Sequence, residues 1–374
     1  MFYSSLVGQN EAKDRLIRMV NSGRVPHALL FTGPDGCGHL SAAVTVAAHL
    51  LCKNKQATEP CGTCPSCNKV FKLIHPDVHF VFPIIKSKHV KTSNDLLPDF
   101  REAFTRNAYI TLNDWISELD ADNKQLLIPA DESADILKKL SYTSFEGSYK
   151  IMIIWQAERM NTEAANRLLK VLEEPPDETV FILVSSQPDQ LLATILSRVQ
   201  QIPFYQVEEN VISDALMKHF QVSKEVADQA AFISNGNFHD AMMSLYKDDE
   251  SVSLLSRFQN FMRLALKFDC AKALVWLDEN AALGREKQKD FLAYALAVFR
   301  DAIMYNFGER SLVKLSGSEK QFLEKFAPFI HMRNYQLLVE EYNQTYYYVE
   351  RNANPKILFM DLLLKTNDFL NLKA

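Results

Sequence analysis

Residues 28–51 read ALLFTGPDGCGHLSAAVTVAAHLL, and this stretch decides the fold. The apolar run Ala28 to Thr32 is a short strand, Gly33 to Gly38 is a glycine-bearing turn, and the alanine-rich segment from about His39 to Leu51 is a helix. Strand, glycine loop and helix in that order predict an α/β domain whose first turn has the outline of a phosphate cradle, G-x-x-x-x-G-K-[ST]. The outline lacks its chemistry. Its lysine position holds His39 and its Ser/Thr position holds Leu40, which has no metal-ligating atom. A neutral imidazole is a shorter, weaker clamp on phosphate than an ammonium. Ser41 comes one residue late, about a quarter-turn round the helix.

Working outward, strands are expected at Val78 to Phe82 (VHFVF), Tyr149 to Trp155 around IMII, Thr179 to Val184 (TVFILV) and Gln200 to Phe204. Helices at Ser133 to Leu140, after an Asn161 cap with apolar stripe Ala165, Leu168, Leu169 and Leu172, and through Ile195 alternate with them. Alternation of this kind implies a five-stranded parallel sheet covered on both faces. Nucleotidases with such a loop need an acidic pair after an apolar strand, Asp for Mg²⁺ and Glu for the attacking water. After IMII this chain has Trp155 and Gln156 instead. Two sites have lost their catalytic groups together, so intrinsic ATP hydrolysis is not expected. Trp155 is also a candidate plug for the vacated pocket.

Between these landmarks, residues 84–130 show helical pieces at Leu96 to Phe104 and Leu112 to Glu118 but suggest no task. Beyond Tyr205 only helical patterns remain: a three-helix unit at Val211 to Phe220, Glu225 to Ile233 and Phe238 to Leu245, then five or six more, including Phe258 to Phe268, Phe291 to Phe307, Tyr335 to Val349 and Pro355 to Phe369. The expected domains are 1–205, 206–249 and 250–374.

Four of six cysteines are spaced C-x8-C-x2-C-x2-C at Cys52, Cys61, Cys64 and Cys67. Two x2 steps let thiolates converge on one tetrahedral ion, and with all four sulfurs spent as ligands the ion, best read as zinc, is structural. Two disulfides or buried free thiols are the alternatives; a reducing compartment disfavours the first, and the polar run Lys53 to Gln56 the second.

Composition sets the outer bounds. With 374 residues, 47% hydrophobic and 23% charged, the chain is neither a disulfide-stapled miniature nor wholly disordered. A net charge of −5 leaves no overall footprint for a polyanion. The start lacks a basic flank and apolar core and no run nears ~18 apolar residues, so a cytoplasmic location is expected.

Ser197-Arg198, at the end of a helix, offers a guanidinium that forks onto phosphate oxygens. The alternative is a helix C-terminal arginine favoured by the dipole.

Together these motifs resemble the AAA+ clamp-loader family of bacterial DNA polymerase III, in its delta-prime branch. The resemblance rests on VGQNEAKDRL (Val7 to Leu16), GRVPHALLFTGPDGCG (Gly23 to Gly38), the four cysteines, HPDV (His75 to Val78), NTEAANRLLKVLEEPP (Asn161 to Pro176), LSRVQ (Leu196 to Gln200), SNGNFHDA (Ser234 to Ala241) and RNANPKILFMDLLLK (Arg351 to Lys365). It implies an AAA+ domain with an inserted zinc module at 52–67, a helical lid and a helical collar for oligomerisation. It also implies a non-catalytic stator with the degenerate loop Gly33, Gly36, Gly38 and His39, no functional ATP site, and Arg198 offered as an arginine finger to a neighbouring ATPase. His239 stands where a motor subunit's lid carries a sensor arginine. The implied partners are gamma/tau motor subunits and a delta subunit, with the sliding clamp and primed DNA reached through the complex. The departure is Val199, where the family's finger motif has cysteine. The competing reading is an ATP-hydrolysing motor subunit with an unorthodox loop.

Overall fold

The computed structural model describes residues 2–121, 124, 126–141, 144–146, 149–246, 248–308 and 317–372. The chain forms two compact units, Met1–Met243 and Ser244–Ala374.

In the first unit, β1 (Ala28–Thr32), β2 (Val78–Val81), β3 (Lys150–Trp155), β4 (Thr179–Ser185) and β5 (Gln200–Pro203) form one parallel sheet in the order β2-β3-β4-β1-β5. Register pairs Leu29 with Ile182 on one side and with Gln200 on the other. Strands β3 and β4 are buried at every residue, which is why they read as unbroken apolar runs and not as alternating ones. The sheet order changes direction at β1, so the turn after β1 opens at the carboxyl edge where α/β sheets present ligand crevices.

Helix α1 (Asn10–Ser22) precedes β1, and α2 (His39–Leu51) follows the glycine turn. All thirteen residues of α2 are buried, so its lack of lysine, arginine and acid is a packing requirement. The cysteine segment then supplies α3 (Pro65–Phe71), with proline pre-set at the first helical position. Residues 84–130 carry α4 (Leu97–Arg106) and α5 (Leu112–Glu118), and they fold back onto the edge of the sheet. Their anchor is aromatic: Phe82 stacks on Phe100 with centroids 4.1 Å apart, Trp115 meets both edge-on, and Trp115 Nε1 donates to the Pro83 carbonyl at 2.9 Å.

On the other face lie α6 (Ala130–Ser141) and α7 (Thr162–Glu173). Asn161 caps α7 by accepting from the Ala164 N–H at 2.8 Å, as its position suggests. The buried stripe keeps Ala165, Leu168 and Leu172, adds Ala164 and Val171, and leaves Leu169 half-buried. Short α8 (Ala193–Leu196) leads into β5, and α9 (Glu209–Phe220), α10 (Lys224–Ile233) and α11 (Phe238–Ser244) complete this unit.

The second unit contains α12 (Asp248–Leu266), α13 (Cys270–Ala282), α14 (Arg285–Phe307), α15 (Gly317–Phe326), α16 (Met332–Glu350) and α17 (Pro355–Leu370). Its core is rich in aromatic rings, with Phe258, Phe261, Phe291, Phe299, Tyr342 and Phe359 fully enclosed. Edge-to-face pairs such as Phe299 with Tyr342, centroids 4.9 Å apart, add directional contacts to area burial. No described helix is long and apolar enough to cross a membrane.

Candidate functional site: a closed phosphate loop

The turn after β1 keeps the backbone shape that its glycines predict. Gly36 and Gly38 sit at φ +80° and +90°, where a side chain is strained. A β-carbon on Gly33 would lie 2.5 Å from the Phe204 carbonyl oxygen, so the first glycine is needed for close packing against the end of β5.

The chemical positions of the loop have turned inward. His39 is buried beneath Phe204, and burial pushes its pKa down to about 4, against a Gly33 backbone contact that favours the charge. It is therefore neutral at pH 7. The Ser41 hydroxyl donates to the Ala108 carbonyl, so it is engaged within the protein. Cys37 is buried with its sulfur 3.1 Å from where a Gly33 β-carbon would stand. The His39 N–H faces the same sulfur, and burial lifts the thiol pKa to about 12, which keeps it protonated.

At the end of β3, Gln156 adopts φ +54° and donates from Nε2 to Asp35 Oδ1 at 3.2 Å and to Ser186 Oγ at 3.3 Å. Asp35 also accepts the Leu112 N–H at 2.8 Å. Burial raises the Asp35 pKa to about 6, although the Leu112 bond favours its ionised form. Trp155 is enclosed against Phe100, centroids 5.5 Å apart, in the aromatic core. The side chains that face the loop glycines are others.

Those others come from two places. From residues 84–130, the Tyr109 ring lies 2.7 Å from the β-carbon position of Gly38. From the segment around α11, Asn237 and His239 lie 2.7 Å from that of Gly36, and Asn237 Nδ2 donates to the Asp35 carbonyl at 3.0 Å. His239 Nε2 pairs with Asp114 Oδ2 at 2.8 Å, and its Nδ1 with Asp240 Oδ1 at 3.2 Å. Burial opposes charge on His239, but the two carboxylates override it and raise its pKa to about 9. Tyr109 and Asp114 were not legible as site residues. The one local signal is the Thr111/Asp114 capping box of α5, which says where a helix starts and not what it covers.

The four cysteines converge as their spacing suggests. The sulfurs of Cys52, Cys61, Cys64 and Cys67 lie within 4.8 Å of one another, and those of Cys61 and Cys67 are 4.0 Å apart. A tetrahedral thiolate site with metal–sulfur bonds of about 2.3 Å spaces its sulfurs roughly 3.8 Å apart, so the set fits one ion. Backbone N–H groups of Cys61 and Cys64 donate to the sulfurs of Cys52 and Cys61 at 3.3 and 3.4 Å. N–H donors from Thr63 and Cys64 pull the Cys61 thiol down to about 6, towards the thiolate that a metal requires.

Arg198 stands just after α8. Its Nη2 donates to Glu173 Oε1 at 2.6 Å and its Nη1 to the Thr194 carbonyl at 2.9 Å, with about a third of the side chain exposed. A cleft of about 320 Å³ lies between Gly8–Ala12 and Pro203–Val211.

The family model described as DNA polymerase III, delta subunit, matches residues 8–208, more than half of the chain. The delta-prime subunit of Bacillus subtilis DNA polymerase III is 31% identical over 245 residues, 64% of this chain and 61% of that protein. The gamma/tau subunit of Mycobacterium bovis is 26% identical over 230 residues, 62% of this chain and 33% of that protein. A Thermotoga maritima protein related to the gamma subunit overlays on 96% of this chain and 100% of its own, with 16% identity and a TM-score of 0.42. The chain thus spans about three-fifths of the first relative's length and a third of the second's. The family model and the delta-prime relative agree: the chain belongs to the delta-prime clamp-loader family of DNA polymerase III.

Proposed function

We propose that the chain is a non-catalytic stator subunit, delta-prime, of a bacterial clamp loader, which helps place a sliding clamp on primed DNA. The observation that carries this reading is the state of the loop. The residue at the lysine position is a buried neutral imidazole, and the residue at the position of the water-polarising acid is Gln156, hydrogen-bonded to the loop's own Asp35. Neither supplies what phosphoryl transfer needs, a fixed cation on the phosphates and a group to orient water.

In this reading residues 1–205 are the AAA+ domain, 206–249 the lid and 250–374 the collar, through which the chain joins gamma/tau and delta subunits in the cytoplasm. Cys52, Cys61, Cys64 and Cys67 hold a structural zinc. Arg198 is the finger that reaches a neighbour's nucleotide. Its pair with Glu173 is half-exposed, and such pairs contribute about 0–1 kcal/mol, so a phosphate can replace the carboxylate at little cost.

The test is DNA-stimulated ATP hydrolysis by a loader reconstituted with the Arg198→Ala chain. Removing a finger costs a related nucleotidase ~10³ to 10⁵ in turnover per site. The reading expects turnover to fall by at least the share of the neighbouring site, with the assembly intact by size-exclusion chromatography. Unchanged turnover rejects the finger.

A further inference from the structure

We propose that the phosphate loop is permanently occupied by the chain itself, with residues 107–114 serving as a built-in ligand that locks the segment 234–241 onto the loop. This rests on the stator reading and specifies what has replaced the nucleotide.

Three groups do the replacing. Inside the turn, the Cys37 sulfur lies against Gly33 and faces the His39 N–H, one of the amides that a helix N-terminus would otherwise aim at an anion. Over the turn, the Tyr109 ring covers Gly38, and its hydroxyl oxygen accepts the Val7 N–H at 2.8 Å. Its other contact is Phe238, centroids 4.8 Å apart, so one ring touches the loop, the N-terminal segment and α11. Beside it, the Asp114 carboxylate supplies the negative charge that the cation at His239 meets. A carboxylate on α5 thus meets His239 as a bound phosphate oxygen would, as an ion pair at 2.8 Å.

The loop's own atoms complete the closure. Asn237 Nδ2 holds the Asp35 carbonyl, and the Leu112 N–H holds the Asp35 carboxylate, so both sides of the turn are tied to what covers them. Each bond is intramolecular, so opening the loop to a nucleotide breaks several contacts at once.

The experiment measures two things on the full chain: amide hydrogen exchange at residues 34–41 and 234–241, and binding of ATP and of inorganic pyrophosphate by titration calorimetry. In the parent chain we expect slow exchange in both segments and no saturable binding of either probe. Asp114→Asn removes the charge and keeps the shape, and Tyr109→Gly removes the cover; each should speed exchange in both segments together by about tenfold or more. Tyr109→Phe keeps the ring and should leave 34–41 protected, which separates the cover from a general loss of folding. Saturable binding by the parent chain overturns the proposal. So does exchange at 234–241 that Asp114→Asn and Tyr109→Gly leave unchanged. Binding without hydrolysis would reject the built-in ligand and leave the stator reading standing, whereas hydrolysis would reject the stator reading.

Discussion

Gln156 and Asp35 are joined directly: the amide at the end of β3 donates to the carboxylate in the glycine turn at 3.2 Å. An amide thus stands at the position of the water-polarising acid, tied to a half-buried carboxylate of the turn.

That pair makes Gln156→Glu informative. Burial already raises Asp35 to about 6, above its ordinary 3.8, so ionising it costs stability as pH rises through 4 to 6. A second carboxylate at 156 removes a donor and adds repulsion. The variant should lose about 1–3 kcal/mol at pH 8, and the deficit should shrink below pH 6 as Asp35 takes up a proton. Urea unfolding at the two pH values checks this; a deficit independent of pH speaks against the pair.

The His239–Asp114 contact gives a dependence of the opposite sign. A pKa of about 9 lies above the ordinary 6.5 of histidine, so its contribution is complete below pH 6.5 and is lost as pH rises through 9. The groups that face His239 are Asp114 on α5, Asp240 beside it and Asp35 in the turn. Hydrogen exchange at 234–241 should therefore accelerate, beyond its intrinsic pH dependence, between pH 7 and 10. In His239→Gln that extra acceleration should vanish.

Restoring the missing lysine should not restore function. His39, the first residue of α2, is buried beside Phe204, so an ammonium there would be taken out of water. His39→Lys should cost several kcal/mol, the penalty for burying an unpaired charge, and confer no ATP turnover. Calorimetric melting and a phosphate-release assay decide it; turnover in the variant would mean that only the lysine was absent.

The cysteine module has a structural task. The Phe2 ring lies 2.4 Å from the β-carbon position of Gly62 and meets Phe71 edge-on, while Glu59 accepts the N–H groups of Tyr3 and Ser4 at 2.8 and 2.7 Å. Stripping the metal, or Cys67→Ser, should free residues 2–7 and lower the melting temperature. Metal analysis together with exchange at 2–7 reads both, and a chain that holds no zinc when purified without chelator contradicts the assignment.

The strand–turn–helix unit, the five parallel strands and the four-cysteine site were legible because each is written in local spacing: an apolar run, a glycine offset, two C-x2-C steps. The residues at the loop's and strand's chemical positions, His39, Leu40, Trp155 and Gln156, were equally local. What fills the loop was not. Tyr109 is 71 positions after Gly38, His239 is 125 after Asp114, and nothing near either residue in sequence names its partner. Trp155, the candidate plug, instead packs against Phe100 in the core that seats α4, and the ring beside Gly38 is that of Tyr109.

The most direct test of the central claim is ATP hydrolysis by the purified, zinc-loaded chain alone, with Mg²⁺ and primed DNA present. The account predicts no phosphate release above background, and none gained or lost in His39→Ala. Turnover that depends on Mg²⁺ and disappears in His39→Ala would contradict it.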